Sequence, residues 1–311
     1  MNGRALPAFV SVGEALTDLI RTGPDAWTSR TGGAGLNVAR AMARLQVDSA
    51  FAGAISTDVF GQALMDSAAA AGLDLRFLRQ VANPPLLAVV HQTNPPDYFF
   101  IGTASADLEF QPGDLPAGWE RAAYWVHFGG ISLAREPLAG RLVALAARLK
   151  SAGVRISYDP NYRNLMGPAY DPTLAAMARV ADIIKVSDED LRGLFRDSDE
   201  DAALVRLRAL NREAAILLTR GAGGADYHDG GRAWRAQVPP VSVADTIGAG
   251  DASIAALVYS RMLHPDADGA DHLRFAVAAG AAACTRAGAT PPSREEAEAL
   301  AASVIIQSLR G

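Results

Sequence analysis

The chain is 311 residues long, 50% apolar and 20% charged, a globular composition with room for one large α/β domain or two small ones. Its formal net charge of −5, with no basic tail or cluster, argues against a general nucleic-acid binder, although a few N–H groups could still hold a small anion. The single cysteine excludes an intramolecular disulfide and a Cys-rich zinc site; Cys284, in AAACTRAG, reads as a small core residue rather than a reactive thiol.

Along the chain, short apolar runs alternate with helical patterns. AFVSV near residue 10, AFAGA near 52, YWVHF near 126, VRISYD at 154–159, DIIKVS at 182–187 and AAILLT at 214–219 predict strands, several of them apolar on both faces. Between them, GLNVARAMARLQ, REPLAGRLVALAARLKSAG and DEDAALVRLRALNRE predict helices, so the expected fold class is a doubly wound α/β sandwich with a mostly parallel sheet. LLAVVHQTNPPDYFFIG at 86–102 breaks the rhythm, reading as two strands around an Asn-Pro-Pro-Asp turn: either a lid over a site at the sheet's edge or a decorative hairpin. After residue 250 the pattern is almost wholly helical, through ASIAALVYSRML, ADHLRFAVAAGAAACTR and SREEAEALAASVIIQSL. No repeat or linker divides the chain, so one domain over 1–311 is expected, with lid strands inserted at roughly 15–31 and 86–103. No apolar run approaches the ~18 residues of a membrane span and no signal-like segment follows Arg4, so a cytoplasmic protein without membrane partners is expected.

The stretch richest in chemistry is DTIGAGD at 245–251. Gly248, Ala249 and Gly250 precede a strongly helical run, which puts their N–H groups at a helix N-terminus, where unpaired donors and the helix dipole favour an anion. Asp251 alone could be a first-turn acid stabilising the helix by about 0.3–1 kcal/mol, but that accounts for neither the glycines nor Asp245. A carboxylate beside an anion hole fits phosphoryl transfer, in which it accepts the proton of an attacking hydroxyl. The GxxxxGK[ST] loop of P-loop enzymes is absent, and GGAGLNVA at 32–39 lacks the GxGxxG spacing of a dinucleotide fingerprint, which argues against a nicotinamide dehydrogenase.

DTIGAGD resembles the C-terminal signature of the ribokinase-like (PfkB) sugar kinases, and GGAGLNVARAMARLQV followed by FAGAISTDVFGQAL resembles their N-terminal glycine signature. The similarity runs over essentially the whole chain, through GEALTD at 13–18, the lid-like hairpin, DPNYR at 159–163, KVSDED at 185–190 and TRGAGGA at 219–225. It implies a ribokinase-like fold with a small β-sheet lid, and a kinase with ATP and Mg²⁺ as cofactors. Asp251 is then the catalytic base and Gly248-Ala249-Gly250 the anion hole. Asp18, Gly33 and Asn37 match positions that hydrogen-bond sugar hydroxyls, a role that suits an acid and an amide. Outside the resemblance, Asn37 could be a helix-packing polar residue and Asp18 a lid-turn residue. Arg163 could contact sugar or phosphate oxygens, or form a surface ion pair. Thr219, Gly221 and Gly224, after a strand end, fall on the ATP side with Lys185, Ser187, Gly248 and Gly250, although a plain loop before a hairpin would also explain TRGAGGA.

The resemblance further implies a monovalent-cation site, K⁺ in many members, at Asp245 and Ile247, completed around Ala283 and Gly288. Ser187-Asp188-Glu189-Asp190 stands where many relatives have Asn-x-x-Glu, which organises Mg²⁺ through water; Asp190 is one methylene shorter than Glu, which shifts the metal contacts. GEALTD is closest to the opening of fructokinases, whereas DPNYR is shared with 2-keto-3-deoxygluconate kinases. Fructose is therefore the first expected substrate. The alternatives are ketodeoxygluconate, ribose or a nucleoside, or a non-catalytic sugar-binding protein. Relatives often form homodimers through the lid, and the apolar FFI at 99–101 is compatible with that.

Overall fold

Strands with no polar face must be covered on both sides, and the architecture follows from that requirement. In a computed structural model that describes residues 5–93 and 96–309, the strands are β1 (Phe9–Val12), β2 (Leu16–Arg21), β3 (Trp27–Gly32), β4 (Ser49–Ser56), β5 (Leu78–Val81), β6 (Leu87–Thr93), β7 (Pro96–Ile101), β8 (Trp125–Gly129), β9 (Arg155–Asp159), β10 (Ile183–Ser187), β11 (Ala215–Thr219), β12 (Ala225–Asp229), β13 (Arg232–Gln237) and β14 (Ile305–Leu309). The helices are α1 (Ala34–Arg44), α2 (Val59–Ala70), α3 (Trp119–Ala122), α4 (Leu138–Ser151), α5 (Asp171–Val180), α6 (Asp188–Phe195), α7 (Glu200–Leu210), α8 (Ala249–Leu263), α9 (Gly269–Ala283) and α10 (Arg294–Ala301).

Ten strands form one sheet in the order β14-β13-β12-β11-β10-β9-β8-β1-β4-β5. Its seven strands from β11 to β5 are parallel, and β12, β13 and β14 extend it in antiparallel fashion. β1, β4 and β8 are buried along their whole length. Leu142, Leu145 and Leu149 of α4 pack on one face with Leu174 of α5, Leu191 of α6 and Leu207 of α7. The opposite face carries Val38 and Met42 of α1, Ile254 and Leu257 of α8 and Leu273 of α9. Chain order runs outward from β1 in both directions, to β4 on one side and β8 on the other. That reversal opens a crevice at the carboxyl ends of the strands, where open α/β sheets take ligands.

A second sheet of four strands, β3-β2-β6-β7, joins the inserted segments: β2 pairs antiparallel with β3 and parallel with β6, which pairs antiparallel with β7. The six strands expected from the apolar runs all occur, as does the interrupting hairpin; of its Asn-Pro-Pro-Asp turn, Asn94 and Pro95 lie outside the described residues.

The C-terminal end departs from the helical expectation. α10 stops at Ala301, and Ile305–Leu309 pairs antiparallel with β13 from Gln237↔Ile305 to Ala233↔Leu309. Three successive β-branched residues, Val304, Ile305 and Ile306, favour an extended chain once a sheet edge is available, and the edge overrides the helical pattern upstream. Among the described residues, no helix is long and apolar enough to cross a membrane.

Candidate active site

The carboxyl ends of β1, β8 and β9 and the first turn of α8 converge on two adjoining cavities. One, of about 520 Å³, lies between the strand ends and the small sheet, which walls it with Asp18, Ile20, Val90, Tyr98 and Phe100. The other, of about 470 Å³, lies between β11, the 238–243 segment and α9. Thr246 lines both, so the 246–250 loop stands between them.

That loop ends at Gly248, whose φ of 82° is a left-handed conformation open to glycine; a Cβ there would lie 3.0 Å from Ala289 Cα. α8 then begins; Ala249 N donates back to Thr246 O at 3.3 Å, and the other first-turn N–H groups have no acceptor within the helix. Asp251 sits in this turn. Asn37, from α1, donates its Nδ2 hydrogen to Asp251 Oδ2 at 2.9 Å, which fixes the amide's orientation. The other end of that amide, Oδ1, is buried and has no hydrogen-bond partner among the described residues. Burial raises the Asp251 pKa, opposed by the Asn37 hydrogen bond and by the charges of Lys185 and Arg163.

Asp18, Gly33, Asn37 and Arg163, expected together from the sequence, line the first cavity. Gly33 begins α1 at φ 102°, and a Cβ there would meet Glu14 O at 2.5 Å, so only glycine lets the chain pass this close. Burial raises the Asp18 pKa to about 6, with Arg163 acting the other way. Arg163 is held in the cavity wall rather than by a surface ion pair: its Nη1 donates to Asn161 O (3.2 Å), Asn161 Oδ1 (2.7 Å) and Tyr162 O (2.6 Å), and its guanidinium lies 5.9 Å from the Tyr98 ring centre. Glu14, Arg30, Tyr98 and Asn161 also line this cavity and were not singled out from the sequence. Glu14 is 3% exposed and accepts from Ser132 N (3.1 Å) and Ser132 Oγ (2.6 Å). It lies within the GEALTD stretch, the only signal that could have marked it.

Thr219, Gly221, Gly224, Ala249 and Gly250 line the second cavity. Most of its remaining wall is apolar, with Val238, Pro239, Val241, Val243, Ala276 and Val277, none of which a motif could reveal. Gly224, at φ 94°, brings its backbone so near β13 that a Cβ would lie 2.1 Å from Ala236 O. Cys284 departs from the expected core position: it is partly exposed on this wall, and its carbonyl accepts from Ala244 N (2.8 Å) and Asp245 N (3.2 Å).

Lys185, Ser187 and Asp190 line neither cavity. Lys185 is drawn inward by carboxylates: it is 5% exposed, with Nζ 3.0 Å from Asp159 Oδ2 and 3.9 Å from Asp190 Oδ2. Ser187 and Asp190 form a reciprocal cap at the start of α6, with Asp190 N donating to Ser187 Oγ (2.9 Å) and Ser187 N to Asp190 Oδ2 (2.7 Å). Tyr162 N donates to the other Asp190 oxygen at 2.8 Å.

Asp245 joins two turns: its Oδ1 accepts from Ile247 N (3.1 Å) and its Oδ2 from Gly288 N (2.8 Å). A carboxylate and main-chain carbonyls from adjoining turns are the oxygen donors that a hard cation takes. Ala283, at the end of α9, is buried beside this junction's Cys284 anchor.

With this geometry in hand, comparison with known proteins is specific. The family described as pfkB family carbohydrate kinase matches residues 7–296. The chain is 32% identical to a fructokinase of Klebsiella pneumoniae over 290 residues, covering 89% of this chain and 93% of that one. It superimposes on a crystal structure of a fructokinase with bound ATP from Xylella fastidiosa with a TM-score of 0.86 at 28% identity, covering 95% of this chain and 98% of that one. A fructokinase of Vibrio cholerae O395, in its fructose-, ADP- and calcium-bound form, superimposes with a TM-score of 0.81 at 28% identity, covering 95% and 99%.

Proposed function

The chain belongs to the pfkB family of carbohydrate kinases, and we propose that it transfers the γ-phosphoryl group of ATP to a hydroxyl of fructose. The observation that carries this reading is the meeting, at the 246–250 loop, of a cavity that carries charged side chains and one that carries none, with Asp251 between Asn37 of the first and Gly250 of the second. A sugar in the first cavity and an adenine against the valines of the other would bring hydroxyl and phosphoryl together there. The fructokinase relatives and the fructose-bound neighbour favour fructose over other sugars.

Asp251 accepts the proton of the attacking hydroxyl, and Asn37 holds its carboxylate in the orientation for doing so. The N–H groups of Gly248, Ala249 and Gly250 take up the charge that builds on the transferred group. Asp18, Gly33, Asn37 Oδ1 and Arg163 hold the sugar, and the four-stranded sheet keeps water from the transfer point, limiting hydrolysis of ATP. Thr219, Gly221 and Gly224 pass the backbone close to the nucleotide. When bound, Mg²⁺ would neutralise charge on the ATP phosphates; Ser187 and Asp190 do not fit it, because they line neither cavity and their oxygens are committed to N–H groups of each other and of Tyr162. Asp245, with main-chain oxygens of Ile247, Ala283 and Gly288, would hold a monovalent cation that orders the loop. Exposed Phe99 and Ile101 on β7 support self-association through the small sheet, which light scattering would read as twice the chain mass.

ADP release measured with MgATP and fructose, glucose, 2-keto-3-deoxygluconate, ribose or adenosine, with and without K⁺, tests the reading. The expected outcome is a strong preference for fructose. Preference for the ketodeoxy acid would transfer the substrate role to Arg163 as a carboxylate partner, and silence across the panel from folded protein would sink the transferase reading.

A further inference from the structure

Beneath the 248–250 backbone lies a buried cluster that the transfer mechanism does not use. Lys185 Nζ, besides its 3.0 Å contact with Asp159, lies 3.0 Å from where a Cβ on Gly250 would stand, so the ammonium packs directly under the first turn of α8. Its carboxylate partners are committed to the sugar side. Asp159 Oδ1 accepts from Asn161 N at 3.0 Å, and Asp190 Oδ1 accepts from Tyr162 N. Asn161, at φ 48°, offers its carbonyl and side-chain oxygens to Arg163. One lysine thus ties the anion-binding turn to the turn that aims Arg163.

Stability alone is a poor reason for this arrangement. Burying an ion pair is costly, and apolar residues of the same volume usually serve a core as well or better. Contact with the nucleotide is no better an account, because Lys185 lines neither cavity.

We propose that Lys185 is a positioning residue for phosphoryl transfer: a fixed buried cation that holds the Asn161–Arg163 turn in register with the Gly248–Gly250 N–H groups and adds its charge beneath them. This rests on the transfer reading above. In a site of low dielectric, a charge held in place acts without reorganising during the reaction.

Lys185→Met alone would strand Asp159, and any loss there could come from misfolding. Lys185→Met/Asp159→Asn removes the charges of the 3.0 Å pair while an amide oxygen at 159 still accepts from Asn161 N and Asp190 keeps the N–H groups of Tyr162 and Ser187. For the double variant the expected result is a wild-type unfolding transition, KM values for sugar and ATP within about threefold of wild type, and kcat about 100-fold lower, the scale of losing one donor from a preorganised anion site. Lys185→Arg, which keeps the charge, should turn over faster than Lys185→Met. A double variant with wild-type kcat would overturn the role, as would an arginine variant no better than methionine or an effect confined to KM for ATP. Wild type is assayed first on the sugar panel: silence there counts against the transfer reading itself, whereas an active wild type beside a fast double variant sinks only the role of the lysine.

Discussion

The two cavities flanking the 246–250 loop are built in opposite ways. The cavity proposed for the sugar is a collection of side chains: a half-buried acid from the small sheet, and an amide from α1 and a guanidinium from the loop after β9 that are held by hydrogen bonds. The nucleotide side has few polar side chains: glycines let the backbone come close, and valines and alanines supply an apolar wall. Recognition by side chains distinguishes one hydroxyl pattern from another, whereas a slot of backbone and aliphatic surface accepts a planar base and bare phosphates. Substitutions on the two sides should therefore fail in different kinetic parameters.

The largest effect is expected where the sides meet. Asp251→Asn should lower kcat by about 10³-fold, within the range for loss of a general base, while sugar binding measured by calorimetry stays near wild type. Turnover within a few-fold of wild type would remove Asp251 from the mechanism. Gly248→Ala forces a side chain into a left-handed turn against Ala289, and kcat should drop by roughly 10- to 100-fold as the N–H groups shift. If KM for ATP changed instead of kcat, the turn would serve binding rather than transfer.

Asp18→Asn should raise KM for fructose by about tenfold at pH 8, the scale of losing a charged hydrogen-bond acceptor, with KM for ATP little moved. The same residue makes a pH prediction. Burial raises its pKa from 3.8 to about 6, so the folded protein keeps a proton where the unfolded chain has released it. Stability of the ligand-free protein therefore falls as pH rises between about 4 and 6, and wild-type KM for fructose rises as pH drops below that upper value. Asp159, also held near 6 by burial, titrates in the same window, so the contribution of Asp18 is the part of each slope that Asp18→Asn removes, read from urea midpoints and initial rates. The smallest effect belongs to the apolar wall: Val243→Ala should raise KM for ATP about two- to fivefold, from lost apolar contact, and leave fructose kinetics unchanged. A comparable rise in KM for fructose would break the division between the two sides.

The same contrast explains what the amino-acid pattern could reveal. Asp18, Asn37 and Asp251 stand in short motifs whose residue types suit their chemistry; the structure puts Asp18 and Asn37 on one cavity and hydrogen-bonds Asn37 to Asp251. Val238, Val241 and Val243 carry no such mark, because apolar residues on a ligand wall look like core until the fold is known. Lys185 was expected at the nucleotide from the resemblance carried by KVSDED; two buried carboxylates turn it inward instead. The parallel strands were legible as unbroken apolar runs, whereas β14 was not, since its β-branched residues become a strand only when β13 offers an edge.

The amide of Asn37 has one further consequence. Its hydrogen-bearing end is committed to Asp251, so the oxygen facing away from that bond can only receive. Among the described residues this buried oxygen has no donor, a need that a hydroxyl hydrogen meets and a C–H hydrogen does not. On the proposed roles, the residue that orients Asp251 would also act as a discriminator, set against molecules lacking a hydroxyl at that spot. Wherever a deoxy compound competes with a fully hydroxylated one, the penalty arises from the partner it leaves unsatisfied rather than from any clash of shape.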